Sequence, residues 1–255
     1  MDRVYTVGVM FCVVAGIVLA VYYFGGTYPV VNGDTMLGDV YPYTFVFFGD
    51  NQPEQGATQP EVFIHMIEMI NADNPLFTIG GGDFVADGTP EQFEAFLQVI
   101  SGLDSHMFYV CGNHDNSVYY TKYLGEKVYA FTYKNSIFII LDNSRKILSQ
   151  DQLTFLETQL KKGYENTFVI MHIPPFDPEG THAMIHPDKF LAIVQEYKVD
   201  YVLCSHIHGF YEEKIGDTIL IISGGGGGPL HRGGDHHYIV VTVSDTIQYE
   251  KRCVP

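Results

Sequence analysis

Hydrophobic and polar positions alternate in blocks along residues 43–255. Apolar runs of strand length are separated by segments whose hydrophobic residues recur at helical spacing. Helical patterns begin at Pro60, Pro90, Ser149 and Pro187, and proline is tolerated in a first helical turn because its missing N–H has no partner there. Strands are predicted at residues 44–48, 76–79, 107–111, 136–141, 168–171, 201–204, 218–222 and 238–243, with later hairpin strands at 210–214 and 246–252.

Continuous apolar strands of this kind are typical of sheets that are covered on both faces. With the helices between them, they predict a layered α/β (α+β) domain over residues 43–255, in which a β-sandwich is flanked by helices. The 255 residues can bury a substantial core, and they suit one such domain better than two.

A separate apolar run occupies residues 7–24, after Asp2 and Arg3. Its length is at the lower end of what crosses a bilayer as a helix, so residues 1–25 are predicted to be a transmembrane signal anchor; the alternatives are a cleaved signal peptide and a buried core helix. Because the next basic residue after Arg3 is Lys122, the positive-inside tendency predicts an extracytoplasmic domain, or a secreted one after cleavage. Residues 26–42, rich in Gly, Pro and Tyr, are predicted to be a tether.

The formal net charge of -16 argues against a nucleic-acid-binding surface, which needs clustered Lys and Arg. A small phosphate ester remains a plausible partner, since bound metal ions would supply local positive charge. The four cysteines form no C-x-x-C pair, and Cys111 and Cys204 each end an apolar run. We therefore expect both of these to be buried free thiols.

Polar residues with chemical potential follow five of the predicted strands. Sheet folds gather ligands at the carboxyl ends of their strands, so these five strand ends are expected to converge. Carboxylate, imidazole and amide groups are the ligands expected for manganese, iron or zinc. The groups are Asp50-Asn-Gln52, Gly82-Asp83 with Asp87, Asn113-His114-Asp115, His172, and His206-Ile-His208.

The order of these groups resembles the motif string of the calcineurin-like metallophosphoesterase family: D-x-H, G-D, G-N-H-D/E, H and G-H-x-H. The resemblance runs from about residue 43 to about residue 243 and implies that family's fold, a β-sandwich flanked by helices. It also implies two divalent metal ions. Asp50, Asp83 and His208 would hold the first ion; Asp83 would bridge to the second, completed by Asn113, His172 and His206.

The same resemblance implies hydrolysis of a phosphate ester by a hydroxide held between the two ions. His114 would protonate the leaving group or contact the phosphate, and Asn113 would also lie near substrate. Either Asp87 or Asp115 could orient the His114 imidazole. The motifs leave a phosphomonoesterase, a phosphodiesterase and a pyrophosphate hydrolase open.

Three positions depart from the family pattern, of which one, Ser205 in place of the glycine of G-H-x-H, matters little. Gln52 stands where many members carry the histidine of D-x-H, and its amide is a weaker ligand for the first ion. Ala86 occupies a position that is often Asp or Tyr, with Asp87 one residue later. These departures motivate an alternative, a metal-binding sensor or binding protein with a degenerate site. A surface adhesion module is disfavoured by the polar strand ends.

Residues 224–228 are five consecutive glycines, followed shortly by Arg232. The segment could expose backbone N–H groups and a guanidinium to a substrate phosphate. It could equally be a flexible hairpin connection. Arg232 is therefore a candidate substrate-binding residue.

Overall fold

A computed structural model describes residues 9–14, 17–22, 28–178, 180, 182–231 and 233–255. Within these residues the elements follow the chain in this order: β1 (Val9–Val14), β2 (Ile17–Tyr22), β3 (Val30–Asn32), α1 (Asp34–Leu37), β4 (Tyr43–Phe48), α2 (Glu61–Asp73), β5 (Phe77–Gly80), α3 (Pro90–Ile100), β6 (His106–Tyr109), α4 (Tyr120–Leu124), β7 (Tyr129–Tyr133), β8 (Ser136–Ile140), α5 (Gln150–Leu160), β9 (Asn166–Ile170), α6 (Asp188–Glu196), β10 (Tyr201–Cys204), β11 (Phe210–Ile215), β12 (Thr218–Ser223), β13 (His237–Val243) and β14 (Ile247–Cys253).

The described strands form two sheets. One has the order β1-β2-β3-β7-β8-β9-β10-β12-β11, and the other has the order β14-β13-β4-β5-β6. The strands that precede the polar groups are parallel neighbours: β4, β5 and β6 in the second sheet, and β9 and β10 in the first. Their carboxyl ends therefore lie along one edge of each sheet.

Aromatic side chains fill the space between the two sheets. Phe45 and Phe77 of the smaller sheet meet Phe138 of the larger sheet edge-to-face, with ring centroids 5.3 Å apart in both pairs. Such edge-to-face packing is the favoured geometry for aromatic pairs. A second hydrophobic cluster joins the larger sheet to α5 and α6, and a third joins the smaller sheet to α2, α3 and α4. The predicted β-sandwich flanked by helices is thus confirmed.

The helix starts are where local chemistry predicts them. The hydroxyls of Thr89 and Ser149 accept hydrogen bonds from the backbone N–H groups of Gln92 and Gln152, which caps α3 and α5. Pro90 stands in the first turn of α3. Cys111 and Cys204 are buried free thiols, as expected.

The predicted N-terminal helix is not what the structure contains. Its described residues form β1 and β2, which pair with each other in antiparallel register, while the rest of residues 1–27 lies outside the description. No helix in the described ranges has both the length and the apolar character needed to cross a membrane. A continuous apolar run does not by periodicity distinguish a helix from a strand, and this run is rich in β-branched Val and Ile. Membrane attachment and an extracytoplasmic domain stay predictions.

The predicted tether also differs from the structure. From residue 28 onward it joins the fold, because β3 pairs in parallel with β7 and Gly33 donates its N–H to the Thr132 carbonyl at 2.7 Å. Composition rich in Gly and Pro marks breaks in helices and strands, but it does not show whether the segment between them packs.

Candidate active site

The five polar groups converge where the parallel strands end. Asp50 and Gln52 follow β4, Asp83 follows β5, and Asn113 and His114 lie beyond β6. His172 follows β9, and His206 and His208 follow β10. Hydrogen bonds join the groups across the two sheets: the His206 N–H donates to Asp50 Oδ2 at 2.7 Å, and His172 Nδ1 donates to the Gly81 carbonyl at 2.9 Å.

Asp83 lies at the centre of one cluster of candidate ligands. Its Oδ2 is 3.1 Å from His172 Nε2, and its Oδ1 accepts the backbone N–H of His114 at 2.8 Å. His172 Nε2 is also 3.1 Å from Asn113 Oδ1. Asp83, His172 and His206 each offer one ligand atom, and these three atoms lie within 4.8 Å of one another. This spacing suits a shared metal ion.

The charges of this cluster stabilise each other. Burial lowers the pKa of His172, but the Asp83 carboxylate outweighs burial and raises that pKa to about 9. Burial raises the pKa of Asp83, and the charge and hydrogen bond of His172 more than reverse it, so its pKa lies below the usual value. Without a cation, His172 is therefore an imidazolium paired with a carboxylate.

Asp50 lies at the centre of the other cluster of candidate ligands. Its Oδ1 lies 3.6 Å from His208 Nε2, and Gln52 Nε2 is 3.4 Å from the same nitrogen. His208 Nδ1 is hydrogen-bonded to the Pro229 carbonyl, which leaves Nε2 as the ligand atom. Burial raises the pKa of Asp50 to about 6. Burial lowers the pKa of His206 to about 3, so its imidazole is neutral and able to bind a metal.

Three buried atoms of this site have no hydrogen-bond partner among the residues that the structure describes: Asp50 Oδ1, Gln52 Oε1 and His206 Nε2. An unsatisfied buried polar atom costs about 1–3 kcal/mol, so native proteins rarely leave several in one place without a ligand. Carboxylate oxygen, amide oxygen and imidazole nitrogen are all suitable donors to a first-row divalent cation. The residues present therefore fit bound metal.

The structure corrects the prediction that Asp87 or Asp115 orients His114. Asp87 Oδ2 accepts from Gln92 Nε2 at 3.0 Å, and both oxygens of Asp115 accept backbone N–H groups. His114 Nδ1 instead lies 2.7 Å from the Ala86 carbonyl oxygen. A main-chain carbonyl is the orienting group, and it fixes Nδ1 as the protonated nitrogen.

The glycine segment is not the flexible hairpin connection that one of the two predictions expects, and three of its N–H groups are bonded within the protein rather than exposed to substrate. Residues 224–228 are buried, and the N–H groups of Gly224, Gly226 and Gly228 donate to the carbonyls of Gly209, Gly49 and Asp50 at 2.8–2.9 Å. A Cβ on Gly224 would stand 2.2 Å from the Ile207 carbonyl oxygen and 2.8 Å from Asp50 Oδ2. The segment packs directly against the loop that carries Asp50. Arg232 lies outside the described residues.

A cleft of about 370 Å³ opens over the site. Its lining includes two histidines that the motifs do not contain, His182 and His231, whose ring centroids are 6.1 Å apart. The N–H of His182 is hydrogen-bonded to Asp177, whose side chain is buried. His231 belongs to the glycine-rich segment already noted in the sequence. The sequence feature that could have identified His182 as a site residue is its position in the Pro-rich loop that follows His172. The full lining is Asp83, Asn113, His114, His182, His206, His208, Pro229, Leu230 and His231.

Comparison with known proteins identifies the family of this chain. The family model for calcineurin-like phosphoesterase matches residues 43–210, and the chain belongs to that family. The chain is 26% identical over 176 residues to a 3',5'-cyclic-nucleotide phosphodiesterase of Nostoc sp., covering 62% of this chain and 66% of the relative. It is 27% identical over 161 residues to a glycerophosphodiester phosphodiesterase of Enterobacter lignolyticus, covering 54% and 57%.

Among solved structures, purple acid phosphatase PPD1 from yellow lupin seeds has the same fold, with a TM-score of 0.66 at 16% identity over 89% of this chain and 54% of that one. The two curated relatives are matched over 66% and 57% of their own lengths. The chain thus spans less than two thirds of the length of either curated relative, and the family match over residues 43–210 places it among the calcineurin-like phosphoesterases.

Proposed function

We propose that this protein hydrolyses a small phosphodiester, with phosphomonoesters as the second substrate class, at a site that holds two divalent cations. The observation that carries the proposal is the set of unsatisfied buried atoms, Asp50 Oδ1, Gln52 Oε1 and His206 Nε2, among ligands from five strand ends. A site built only for structural stability would pair these atoms within the protein.

The ligand set divides around Asp83. Asp50, Gln52 and His208 would hold the first cation with Asp83, and Asn113, His172 and His206 would hold the second with the same carboxylate. Two divalent cations lower the pKa of water towards neutrality and neutralise charge on phosphoryl oxygens, which is the chemistry they would supply here. Manganese, iron and zinc all suit these donors.

His114 is the proposed proton donor. Its Nδ1–H is held by the Ala86 carbonyl at 2.7 Å, so its Nε2 carries the proton only in the imidazolium form. That nitrogen would donate to the leaving oxygen, a role that typically contributes roughly 10²–10⁴-fold to rate. The backbone N–H of His114 also binds Asp83 Oδ1, which ties the position of the acid to the shared ligand.

The substrate is small and has at least one ester group to lose. A cleft of about 370 Å³ accommodates a small organic phosphate, and the net charge of -16 disfavours nucleic acid. Diesters are placed first because both curated relatives are named as phosphodiesterases. His182 and His231 line the cleft outside the ligand set, where they would contact the remainder of the substrate.

A metal-binding sensor without turnover is the second candidate. Gln52, with its neutral amide in the first ligand set, is the observation that favours it. Turnover separates the two functions directly.

The test uses the full-length chain, stripped of metal with a chelator and reloaded with Mn²⁺. Bis(p-nitrophenyl) phosphate, p-nitrophenyl phosphate and inorganic pyrophosphate are compared at equal concentration. We expect metal-dependent hydrolysis with the diester fastest, and no turnover in Asp83→Asn. Binding of Mn²⁺ without hydrolysis of any of the three would support the sensor instead.

A further inference from the structure

Asp115 is a buried carboxylate that touches no other charged group through a hydrogen bond among the described residues; both of its oxygens accept main-chain N–H groups. Oδ2 accepts from Asp83 at 2.7 Å and from Gly112 at 2.9 Å. Oδ1 accepts from Phe84 at 2.7 Å and from Val85 at 3.2 Å. Three successive N–H groups of one loop and one from the next loop thus surround a single side chain.

The geometry of the Asp83 loop explains what this arrangement does. Asp83 has a φ of 56°, in the left-handed region that residues with a Cβ rarely adopt. Successive N–H groups that converge around a left-handed residue form an anion-binding nest. Here the group in the nest is the protein's own Asp115 side chain, whose oxygens accept all four N–H groups, so Asp115 holds the loop in a conformation that would otherwise be unfavourable.

The same contacts fix the loop after β6. Gly112 approaches Asp83 so closely that a Cβ would stand 2.1 Å from Asp83 Oδ1, and the N–H of His114 donates to that oxygen at 2.8 Å. Asp83, Asn113 and His114 therefore depend on one carboxylate for their relative positions.

We propose that Asp115 is a positioning residue that sets the Asp83 carboxylate for two cations, and His114 for substrate, before any cation binds. This inference rests on the proposed function for its link to catalysis. It differs from a role in packing alone, because it requires metal affinity to depend on Asp115 in a protein that remains folded.

The test variant is Asp115→Asn, which keeps the shape but presents an NH₂ group to two N–H donors. Mn²⁺ affinity should fall roughly 10–100-fold at both positions, the usual effect of removing a group that orients metal ligands. The Mn²⁺ concentration for half-maximal activity should rise similarly, while the KM for bis(p-nitrophenyl) phosphate at saturating Mn²⁺ changes less. Asp104→Asn, at an exposed position, is the matched control. It should change neither the Mn²⁺ affinity nor the Mn²⁺ concentration for half-maximal activity. Wild-type Mn²⁺ affinity in folded Asp115→Asn would overturn the proposal.

A second measurement keeps the test decisive should Asp115→Asn fail to fold. In the metal-free wild type, the amide protons of Asp83, Phe84, Val85 and Gly112 should exchange slowly with solvent, since the carboxylate holds them without a cation. Fast exchange of these four amides before Mn²⁺ is added would contradict the inference. If the wild type binds Mn²⁺ but hydrolyses no phosphate ester, the proposed function fails, while the comparison of Mn²⁺ affinities still tests Asp115.

Discussion

The ligands around Asp83 and those around Asp50 belong to one site, yet their polar atoms are satisfied in different ways. In the Asp83 group (Asp83, Asn113, His172 and His206), hydrogen bonds of 3.1 Å join His172 Nε2 to Asp83 and Asn113, and among the described residues only His206 Nε2 of this group is buried without a hydrogen-bond partner. In the Asp50 group (Asp50, Gln52 and His208), Asp50 Oδ1 and Gln52 Oε1 are buried without a hydrogen-bond partner in the described part of the chain, and His208 Nε2 is 3.4 Å or more from both side chains.

At the proposed two-cation site, a cation would therefore have different effects in the two groups. In the Asp50 group it would satisfy oxygens that have no hydrogen-bond partner among the described residues. In the Asp83 group it would bind His206 Nε2 and displace the proton of His172, whose pKa Asp83 raises to about 9 against the effect of burial. We therefore expect binding at the second position to be coupled to proton release, and binding at the first to be limited by the weak amide ligand of Gln52.

The largest expected effect is that of Asp83→Ala, which removes the carboxylate shared by both groups. Activity should fall to background, and elemental analysis should find both metals lost. Asp87→Ala is the matched control, because Asp87 is hydrogen-bonded to Gln92 and not to a ligand. Two metals per chain in Asp83→Ala would show that another residue bridges them.

Gly224→Ala should disturb the Asp50 group and leave the Asp83 group intact. The new methyl group would stand 2.2 Å from the Ile207 carbonyl oxygen and 2.8 Å from Asp50 Oδ2, and overpacking of this kind typically costs about 1–3 kcal/mol of stability. Calorimetry should show a lower Tm and Mn²⁺ titration a weaker first position. Gly102→Ala, at an exposed position, is the control. Equal effects of the two substitutions would mean that the glycine segment does not support the Asp50 group.

Gln52→His should narrow the difference in Mn²⁺ affinity between the Asp50 group and the Asp83 group. An imidazole is a stronger ligand than a neutral amide, so the Mn²⁺ concentration for half-maximal activity should fall by about tenfold, equivalent to about 1.4 kcal/mol. Activity is measured against free Mn²⁺ after chelation for both proteins. Superimposable curves would mean that Gln52 does not touch the metal.

The smallest expected effect is a change with pH in the Tm of the metal-free protein. Because His172 has a folded-state pKa of about 9, above an unfolded value of about 6.5, its stabilising charge is fully present below pH 6.5 and is lost as pH rises through 9. The Tm of metal-free protein should therefore decrease over this range. Protein loaded with metal holds His172 neutral and should lack this decrease, and the same decrease in both forms would contradict the assignment of His172.

Most of the fold follows from periodicity and helix capping. Apolar runs and capping residues such as Thr89 predict the central strands and helices, because strand burial and helix starts depend on local sequence. The strand Tyr129–Tyr133 was not predicted, since its Thr and Tyr residues interrupt any continuous apolar run. The N-terminal run was predicted as a helix, because apolar character alone does not choose between the two structures.

The sequence predicts which residues are candidate metal ligands, but it does not predict which groups form hydrogen bonds with the site residues. Motif order identified Asp50, Asp83 and His172 because their residue types carry the chemistry. The group that orients His114 is the Ala86 carbonyl, and every residue has a carbonyl, so no sequence pattern marks it. His182 reaches the cleft from a loop whose path depends on packing with distant residues.

Isothermal titration of the metal-free protein with Mn²⁺ at pH 7.5, in two buffers that differ in ionisation enthalpy, tests the proposed two-cation site most directly. Two ions should bind per chain with unequal affinity, and the buffer comparison should show about one proton released, from His172, because its pKa of about 9 lies above the working pH. Repeating the titration with Gln52→His should tighten one event and leave the proton release unchanged. Binding of a single ion, or of two ions without proton release, would contradict the division of the site into two unlike halves.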